Sequence, residues 1–205
     1  MPYTELEYLS MKTPLAYQLS EYDCGTVCLQ NAIRYLYTRG EIPPVILKYI
    51  NQFSMDTIDK NGEVGKRGTS SLMIEFIGNW INDNAQNLGL DLRAEVLKDN
   101  EADIYNNQLE YCMKKGGVAI LRVWDTNEHY VLCTKMDEKK AYIFDSYYVP
   151  EDDFDDDPET TMVHDKPFEY NRIVSKVRIN AKNKREYALV RDNNRRILVL
   201  YRKKK

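Results

Sequence analysis

The sequence predicts an α+β fold, in which helices occupy the first part of the chain and strands the second. Two observations carry this prediction. Apolar residues recur at helical spacing between Cys28 and Tyr37, whereas short apolar runs typical of strands begin after Gly117. Helices followed by strands are the order expected of the α+β class. Because 205 residues suit one domain, we expect a single domain with a helical half at about residues 1–116 and a β half at about 117–205.

The helical half is predicted from capping residues and apolar stripes. Asp23-Cys24-Gly25 opens a helix whose apolar positions repeat to about Tyr37. Proline is tolerated in the first turn of a helix, and serine and threonine are common caps. In chain order we expect irregular or extended residues 1–20, a helix at about 24–37, a short helix from Pro43-Pro44 to about Phe53, a loop at 54–68, a helix capped by Thr69-Ser70-Ser71 and a helix near 101–114.

The β half is predicted from apolar runs that are separated by polar turns. Glu151 to Glu159 holds seven acidic residues and one phenylalanine, and we interpret it as a solvated loop. Asp192-Asn193-Asn194 favours a turn between two strands. The expected strands are residues 118–124, 130–135, 141–144 and 172–179, with a C-terminal hairpin of 187–190 and 197–201.

The charge is unevenly distributed along the chain. Residues 172–205 hold 13 basic and 2 acidic side chains, whereas residues 1–171 hold 16 and 30. A basic segment of this kind can bind nucleic acid or an acidic membrane. Because its basic residues alternate with apolar ones, as in strands, we favour a tail that lies on the acidic body of its own chain. A strongly salt-dependent affinity for DNA or RNA would support the nucleic-acid alternative.

Composition and cysteine usage limit the cellular setting and the cofactors. No apolar run approaches the ~18 residues of a membrane helix, and residues 1–18 lack the basic start and apolar stretch of a signal peptide. We therefore expect a cytoplasmic protein with no membrane partner. Its cysteines should be free thiols, and their spacing completes no four-ligand metal set, so we expect neither a metal nor another cofactor. The cysteines are Cys24, Cys28, Cys112 and Cys133.

Cys24 is the candidate nucleophile because it lies where a helix should begin. A helix N-terminus carries a partial positive charge and unpaired N–H groups, which favour thiolate over thiol. Gly25 would leave room for a substrate backbone beside the sulfur. A buried, inert cysteine is the alternative interpretation, and it is the preferred one for Cys28, which lies one turn further along the apolar stripe.

Three other residues could complete a catalytic site. His129 precedes an apolar strand and could take the thiol proton and return it to a leaving group. Asp145 follows the next strand and could orient the imidazole if the strand register puts both residues on one face. The Gln18 amide, six residues before Cys24, could donate to the oxygen of a tetrahedral intermediate beside the Cys24 N–H. His164 is more typical of a loop histidine.

Together these residues resemble the C39 and C39-like peptidases of the papain-like superfamily. The resemblance covers about residues 14–150 and depends on the order Gln, Cys, His, Asp with intervals of six residues from Gln18 to Cys24 and sixteen from His129 to Asp145. It implies a papain-like fold, with Cys24 as nucleophile, His129 as base, Asp145 as its orienting partner and Gln18 in the oxyanion hole. Its motifs are Asp23-Cys24-Gly25-Thr26-Val27-Cys28-Leu29, Gly68-Thr69-Ser70-Ser71, Glu128-His129-Tyr130-Val131-Leu132 and Phe144-Asp145.

The resemblance leaves the substrate and the second half of the reaction open. Bacteriocin exporters of this family carry membrane and ATPase domains and cleave leaders after Gly-Gly. The 205 residues contain neither domain, so a double-glycine substrate is not implied, and we interpret Gly116-Gly117 as a turn. The function expected is a cysteine peptidase with a peptide or protein substrate. An acyl- or amidotransferase that uses the same acyl-enzyme, and a catalytically silent peptide-binding relative, are the alternatives.

Overall fold

The computed structural model describes residues 4–149, 157–191, 193 and 195–203. Seven antiparallel strands form one sheet in the order β1-β7-β2-β3-β4-β6-β5, and the predicted α+β class is confirmed. The helices are α1 (Glu5–Ser10), α2 (Cys24–Leu36), α3 (Pro44–Phe53), α4 (Ser71–Asn84), α5 (Asn107–Lys114) and α6 (Lys176–Ile179). The strands are β1 (Leu92–Lys98), β2 (Val118–Trp124), β3 (Glu128–Met136), β4 (Lys140–Phe144), β5 (Thr160–Met162), β6 (Arg172–Ser175) and β7 (Arg196–Arg202).

The middle of the sheet is buried on both faces. Along β2, Val118 and Ile120 pack in the same apolar cluster as helices α2, α3 and α4, whereas Ala119 and Leu121 pack with α5 on the other face. Successive side chains of a strand point to opposite faces, so a strand covered on both faces needs apolar residues at every position. This burial explains why β2 reads as a continuous apolar run in the sequence.

Strand β7, from the basic C-terminal segment, lies inside the sheet rather than at its edge. It pairs with β1 on one side and with β2 on the other, and Leu198 and Val199 are fully buried. The last strand of the chain therefore closes both apolar clusters. The region after Arg172 is an integral part of the fold.

The tail's arginines also lie against acidic groups of the rest of the chain. Arg196 Nε is 2.8 Å from Glu75 Oε2, and Arg202 Nε is 3.1 Å from Asp91 Oδ1. Arg191 lies 3.7 Å from a carboxylate oxygen of Asp103. These contacts agree with the preferred interpretation, in which the basic tail compensates the acidic body.

Several expected elements differ from the structure. The helical half predicted for residues 1–116 contains strand β1, and the irregular start contains the short helix α1. The strand predicted at 172–179 ends at Ser175, whose hydroxyl accepts from Arg178 N and caps α6. The predicted hairpin is wrong: residues 187–190 pair with the outer end of β2, through Trp124 N to Ala188 O at 2.8 Å, while β7 pairs with β1 and the start of β2.

Two further expectations concern the acidic loop and the membrane. Most of the predicted loop at 151–159 lies outside the described residues, which resume at Asp157. In the described part of the chain, no helix has the length and apolarity needed to cross a membrane.

Removing the chain from Arg172 onward should unfold the protein, because β7 supplies the centre of the sheet. We expect loss of the cooperative thermal transition followed by circular dichroism. A milder variant, Leu198→Ala, should lower the free energy of unfolding by about 2–5 kcal/mol, as buried leucine truncations do, while exposed Lys203→Ala serves as its control. A truncated chain that keeps a cooperative transition would show that the tail is only an appendage.

Candidate active site

Cys24 is the first residue of α2, and the N-terminal end of this helix has no side-chain cap. Asp23 occupies the cap position, but its carboxylate turns back along the chain and accepts hydrogen bonds from Ser20 N at 3.0 Å and Ser20 Oγ at 2.9 Å. The N–H groups of the first helical turn are normally satisfied by such a cap. Here they remain available to an anionic group at the positive end of the helix.

Position 25 must be glycine because the side chain of Thr69 packs against its Cα. A Cβ atom at this position would lie 2.7 Å from Thr69 Cβ and 3.2 Å from the Tyr130 ring. The expectation that Gly25 leaves space for a substrate is therefore wrong, because Thr69 already fills that space. Thr69 Oγ1 also accepts from Met55 N at 3.1 Å, so this close approach joins the start of α2 to the loop at 54–70.

His129 and Asp145 meet on neighbouring strands. The pairing of Leu132 with Phe144 puts position 145 opposite 131, so that 129 and 145 point to the same face. His129 Nε2 lies 2.7 Å from Asp145 Oδ1, and both side chains are only 8% exposed. Because Asp145 occupies Nε2, the other ring nitrogen, Nδ1, is the atom available to a further partner.

Cys24 lies close enough to His129 to affect the imidazole, and together with Asp145 it influences the pKa of the ring. Burial lowers the pKa of His129, but the charge and hydrogen bond of Asp145, followed by the hydrogen bond and charge of Cys24, raise it well above its ordinary value. Burial disfavours the charged form of Asp145 too, and so raises its pKa. The charge and hydrogen bond of His129 outweigh this effect and hold the pKa of Asp145 below its ordinary value. This arrangement favours the protonated imidazolium form of His129 beside the Asp145 carboxylate.

The Asp145 carboxylate is held by more groups than the sequence indicated. Its Oδ1 also accepts from Tyr147 N at 2.9 Å, and its Oδ2 accepts from Tyr187 Oη at 2.9 Å. Tyr187 Oη in turn accepts from Arg172 Nε at 3.2 Å. Asn171 brackets the Asp145 backbone, accepting from its N–H at 2.7 Å and donating to its carbonyl at 2.8 Å.

Gln18 reaches this region through Ser146, the residue that follows Asp145. Gln18 N donates to Ser146 O at 2.9 Å, and Gln18 Oε1 accepts from Ser146 Oγ at 2.9 Å. Gln18 Nε2 donates to Ser20 O, also at 2.9 Å. The structure thus joins His129 to Asp145 by a hydrogen bond, places Cys24 near enough to affect the imidazole, and joins Gln18 to Ser146, the residue after Asp145. His164 is exposed in a bend after β5.

A cavity of about 440 Å³ opens beside Cys24. Its lining is mixed, with Trp124 and Tyr130 as aromatic walls and Arg67 and Arg122 as basic groups. The Tyr130 hydroxyl is buried and has no hydrogen-bond partner among the described residues. A cavity of this size suits a few residues of an extended chain or a small ligand.

The other three cysteines differ from Cys24 in their surroundings. Burial raises the pKa of Cys28 well above its ordinary value, that of Cys112 to about 11 and that of Cys133 to about 12. None of the three lines the cavity. All four cysteines are free thiols, but only Cys24 combines an imidazole partner with access to the cavity.

The comparisons with known proteins give a distant structural likeness. No protein-family model and no curated protein matches the sequence. A solved structure described as a double glycine motif protease from an AMS/PCAT transporter, in complex with the leader peptide, is 21% identical and has a TM-score of 0.35. The match covers 67% of this chain and 76% of that chain. A likeness of this size does not establish a function.

Iodoacetamide at pH 6–7 should label Cys24 faster than the other cysteines. Cys24 has the imidazole of His129 beside it, whereas burial keeps Cys28, Cys112 and Cys133 in the unreactive thiol form. His129→Ala should remove most of this advantage and Asp145→Asn part of it. Peptide mapping by mass spectrometry measures the four rates. Equal rates for Cys24 and Cys133, unchanged in His129→Ala, would contradict the site.

Glu186, next to Tyr187, should make stability depend on pH. Burial, then the charges of Asp125 and Asp145, raise its pKa from 4.5 to about 7. The folded state therefore binds this proton more tightly than the unfolded state, and stability falls as pH rises from 4.5 to about 7. Glu186→Gln should remove that fall, so that its stability relative to wild type increases across this range and levels off above it.

Urea unfolding at a series of pH values measures this difference. Glu138→Gln, which changes an exposed carboxylate between β3 and β4, is the matched control. A stability difference between Glu186→Gln and wild type that stays constant from pH 4 to 8 would contradict the prediction.

Proposed function

We propose that this protein is a cysteine peptidase that hydrolyses a peptide bond through a thioester acyl-enzyme. The observation that carries the proposal is the buried His129–Asp145 pair, which leaves one imidazole nitrogen for Cys24 at an uncapped helix N-terminus. The resemblance of the Gln, Cys, His and Asp motifs to C39-like peptidases supports the same assignment. We further propose that the chain is a single papain-like domain.

In the proposed reaction, the Cys24 sulfur attacks the carbonyl carbon of the scissile bond and the carbonyl oxygen becomes an oxyanion. The His129 imidazolium then gives its proton to the departing amine, and the C–N bond breaks to leave a thioester on Cys24. A water molecule, deprotonated by His129, attacks the thioester and releases the acid. Asp145 keeps the ring oriented and stabilises its charge through both steps.

The oxyanion would be stabilised by two donors. The first is the Cys24 N–H, which lies in the uncapped first turn of α2. The second is the Gln18 amide, whose Nε2 uses one of its two N–H bonds for Ser20 O. Preorganised donors of this kind contribute most where charge develops in the transition state.

The substrate class proposed is a peptide or protein segment in extended conformation, taken into the cavity beside Cys24. Free cysteines suit a reducing compartment, and we place the enzyme in the cytoplasm. An acyl- or amidotransferase uses the same residues as far as the thioester, and differs only in the acceptor that attacks it.

The test is cleavage of a defined mixture of synthetic peptides, with new termini identified by mass spectrometry. Wild type should cleave a subset of them, Cys24→Ala should cleave none, and Asp145→Asn should be slower by a factor of about 10²–10⁴, the contribution of acid–base catalysis. Repeating the assay with excess glycinamide separates hydrolysis from transfer, since amide products in place of acids would indicate a transferase. Wild-type cleavage that persists in Cys24→Ala would overturn the proposal.

A further inference from the structure

The orientation of the Gln18 amide is fixed by its two hydrogen-bond partners. A backbone carbonyl only accepts, so the end of the amide that faces Ser20 O must be the nitrogen. The opposite end is then the oxygen, and it accepts from the Ser146 hydroxyl at 2.9 Å. The second N–H of Nε2 has no other acceptor among the described residues. A primary amide that is anchored at both ends presents this N–H in one direction.

Ser146 is buried and hydrogen-bonded in a position from which its hydroxyl holds the oxygen of the Gln18 amide. It is 2% exposed, and its carbonyl accepts from Gln18 N at 2.9 Å, so backbone and side chain of the two residues pair twice. The preceding residue, Asp145, is fixed by Asn171 on both its N–H and its carbonyl. The hydroxyl that holds the amide therefore belongs to a buried segment whose backbone is hydrogen-bonded on both sides.

We propose that Ser146 is a positioning residue, which orients the Gln18 amide so that its free N–H can donate to the substrate oxygen. This inference rests on the proposed function, because it assigns a role within the same site. Two consecutive residues would then support two different parts of the catalytic site, the general base and the oxyanion hole. Asp145 orients the base, and Ser146 orients the oxyanion donor.

Replacing Ser146 by alanine should affect the amide and little else. The bond from Gln18 N to Ser146 O uses only backbone atoms, so it persists in Ser146→Ala and keeps the chain in place. The amide oxygen loses its donor, and the amide gains freedom to rotate away from the productive direction. One neutral hydrogen bond is worth about 0.5–1.5 kcal/mol, which corresponds to roughly a 2- to 13-fold loss of oxyanion stabilisation.

The probe is the peptide nitrile acetyl-alanyl-aminoacetonitrile, whose reaction needs no known substrate. The Cys24 sulfur adds to the nitrile carbon, one of the C≡N π bonds breaks, and the nitrogen takes the thiol proton by way of His129, which gives a thioimidate. The thioimidate nitrogen occupies the position of the substrate oxygen and accepts from Gln18. Protection of Cys24 from iodoacetamide measures the affinity, and labelling without the nitrile measures the reactivity of the thiol alone.

Ser146→Ala should bind the nitrile about 2- to 13-fold more weakly than wild type, with an unchanged rate of iodoacetamide labelling. Gln18→Ala should be at least as weak, and adding Ser146→Ala to Gln18→Ala should cause no further loss, because the serine acts only through the amide. Ser10→Ala, at an exposed serine of α1, is the matched control and should equal wild type.

The possible failures are distinguishable. If the nitrile does not protect Cys24 in wild type, the proposed function itself is overturned. If it protects wild type and Gln18→Ala binds it weakly while Ser146→Ala binds it normally, only the role of Ser146 is overturned. A slower iodoacetamide labelling in Ser146→Ala would also overturn that role, since it would place the effect on the thiol or the base.

Discussion

A single buried negative charge, the Asp145 carboxylate, governs how the site is built. Burying an unpaired carboxylate costs several kcal/mol, so the surrounding chain must supply partners. His129 provides one, the Tyr147 N–H a second and the Tyr187 hydroxyl a third. These groups come from β3, from the segment after β4 and from the region before β7. The carboxylate therefore ties together parts of the chain that are up to 58 residues apart, from His129 to Tyr187.

The same requirement gives the basic C-terminal segment a part in a candidate site whose proposed reacting residues all precede it. Arg172 donates to Tyr187 Oη, and its positive charge lowers the pKa of Asp145. Both residues are buried, and both are held by the sheet that β7 completes. A segment that resembles a nucleic-acid-binding arm by composition thus acts as a structural and electrostatic support.

The sequence was most informative where a residue's role is local. The start of α2 and the limits of β2 could be inferred, because helical and strand periodicity are short-range signals, and the contact of His129 with Asp145 agrees with the expected pairing. Pairing partners are set by long-range packing, so the sequence misassigned residues 187–190 to a hairpin. It also gave no sign of Tyr187, whose φ of 60° is rare for tyrosine and serves to aim its hydroxyl at a carboxylate 42 residues away.

The N-terminal end of α2, beside Cys24, differs from an ordinary helix start in having no side-chain cap. Asp23 has a side chain suited to capping, and a missing cap costs about 0.5–2 kcal/mol of stability. Its carboxylate instead holds the turn that carries Gln18 and Ser20. The protein thus forgoes a local stabilisation and, with the same side chain, fixes the turn that carries Gln18, the proposed second donor. Stability is reduced where an incoming anion would restore it, as the proposed oxyanion site requires.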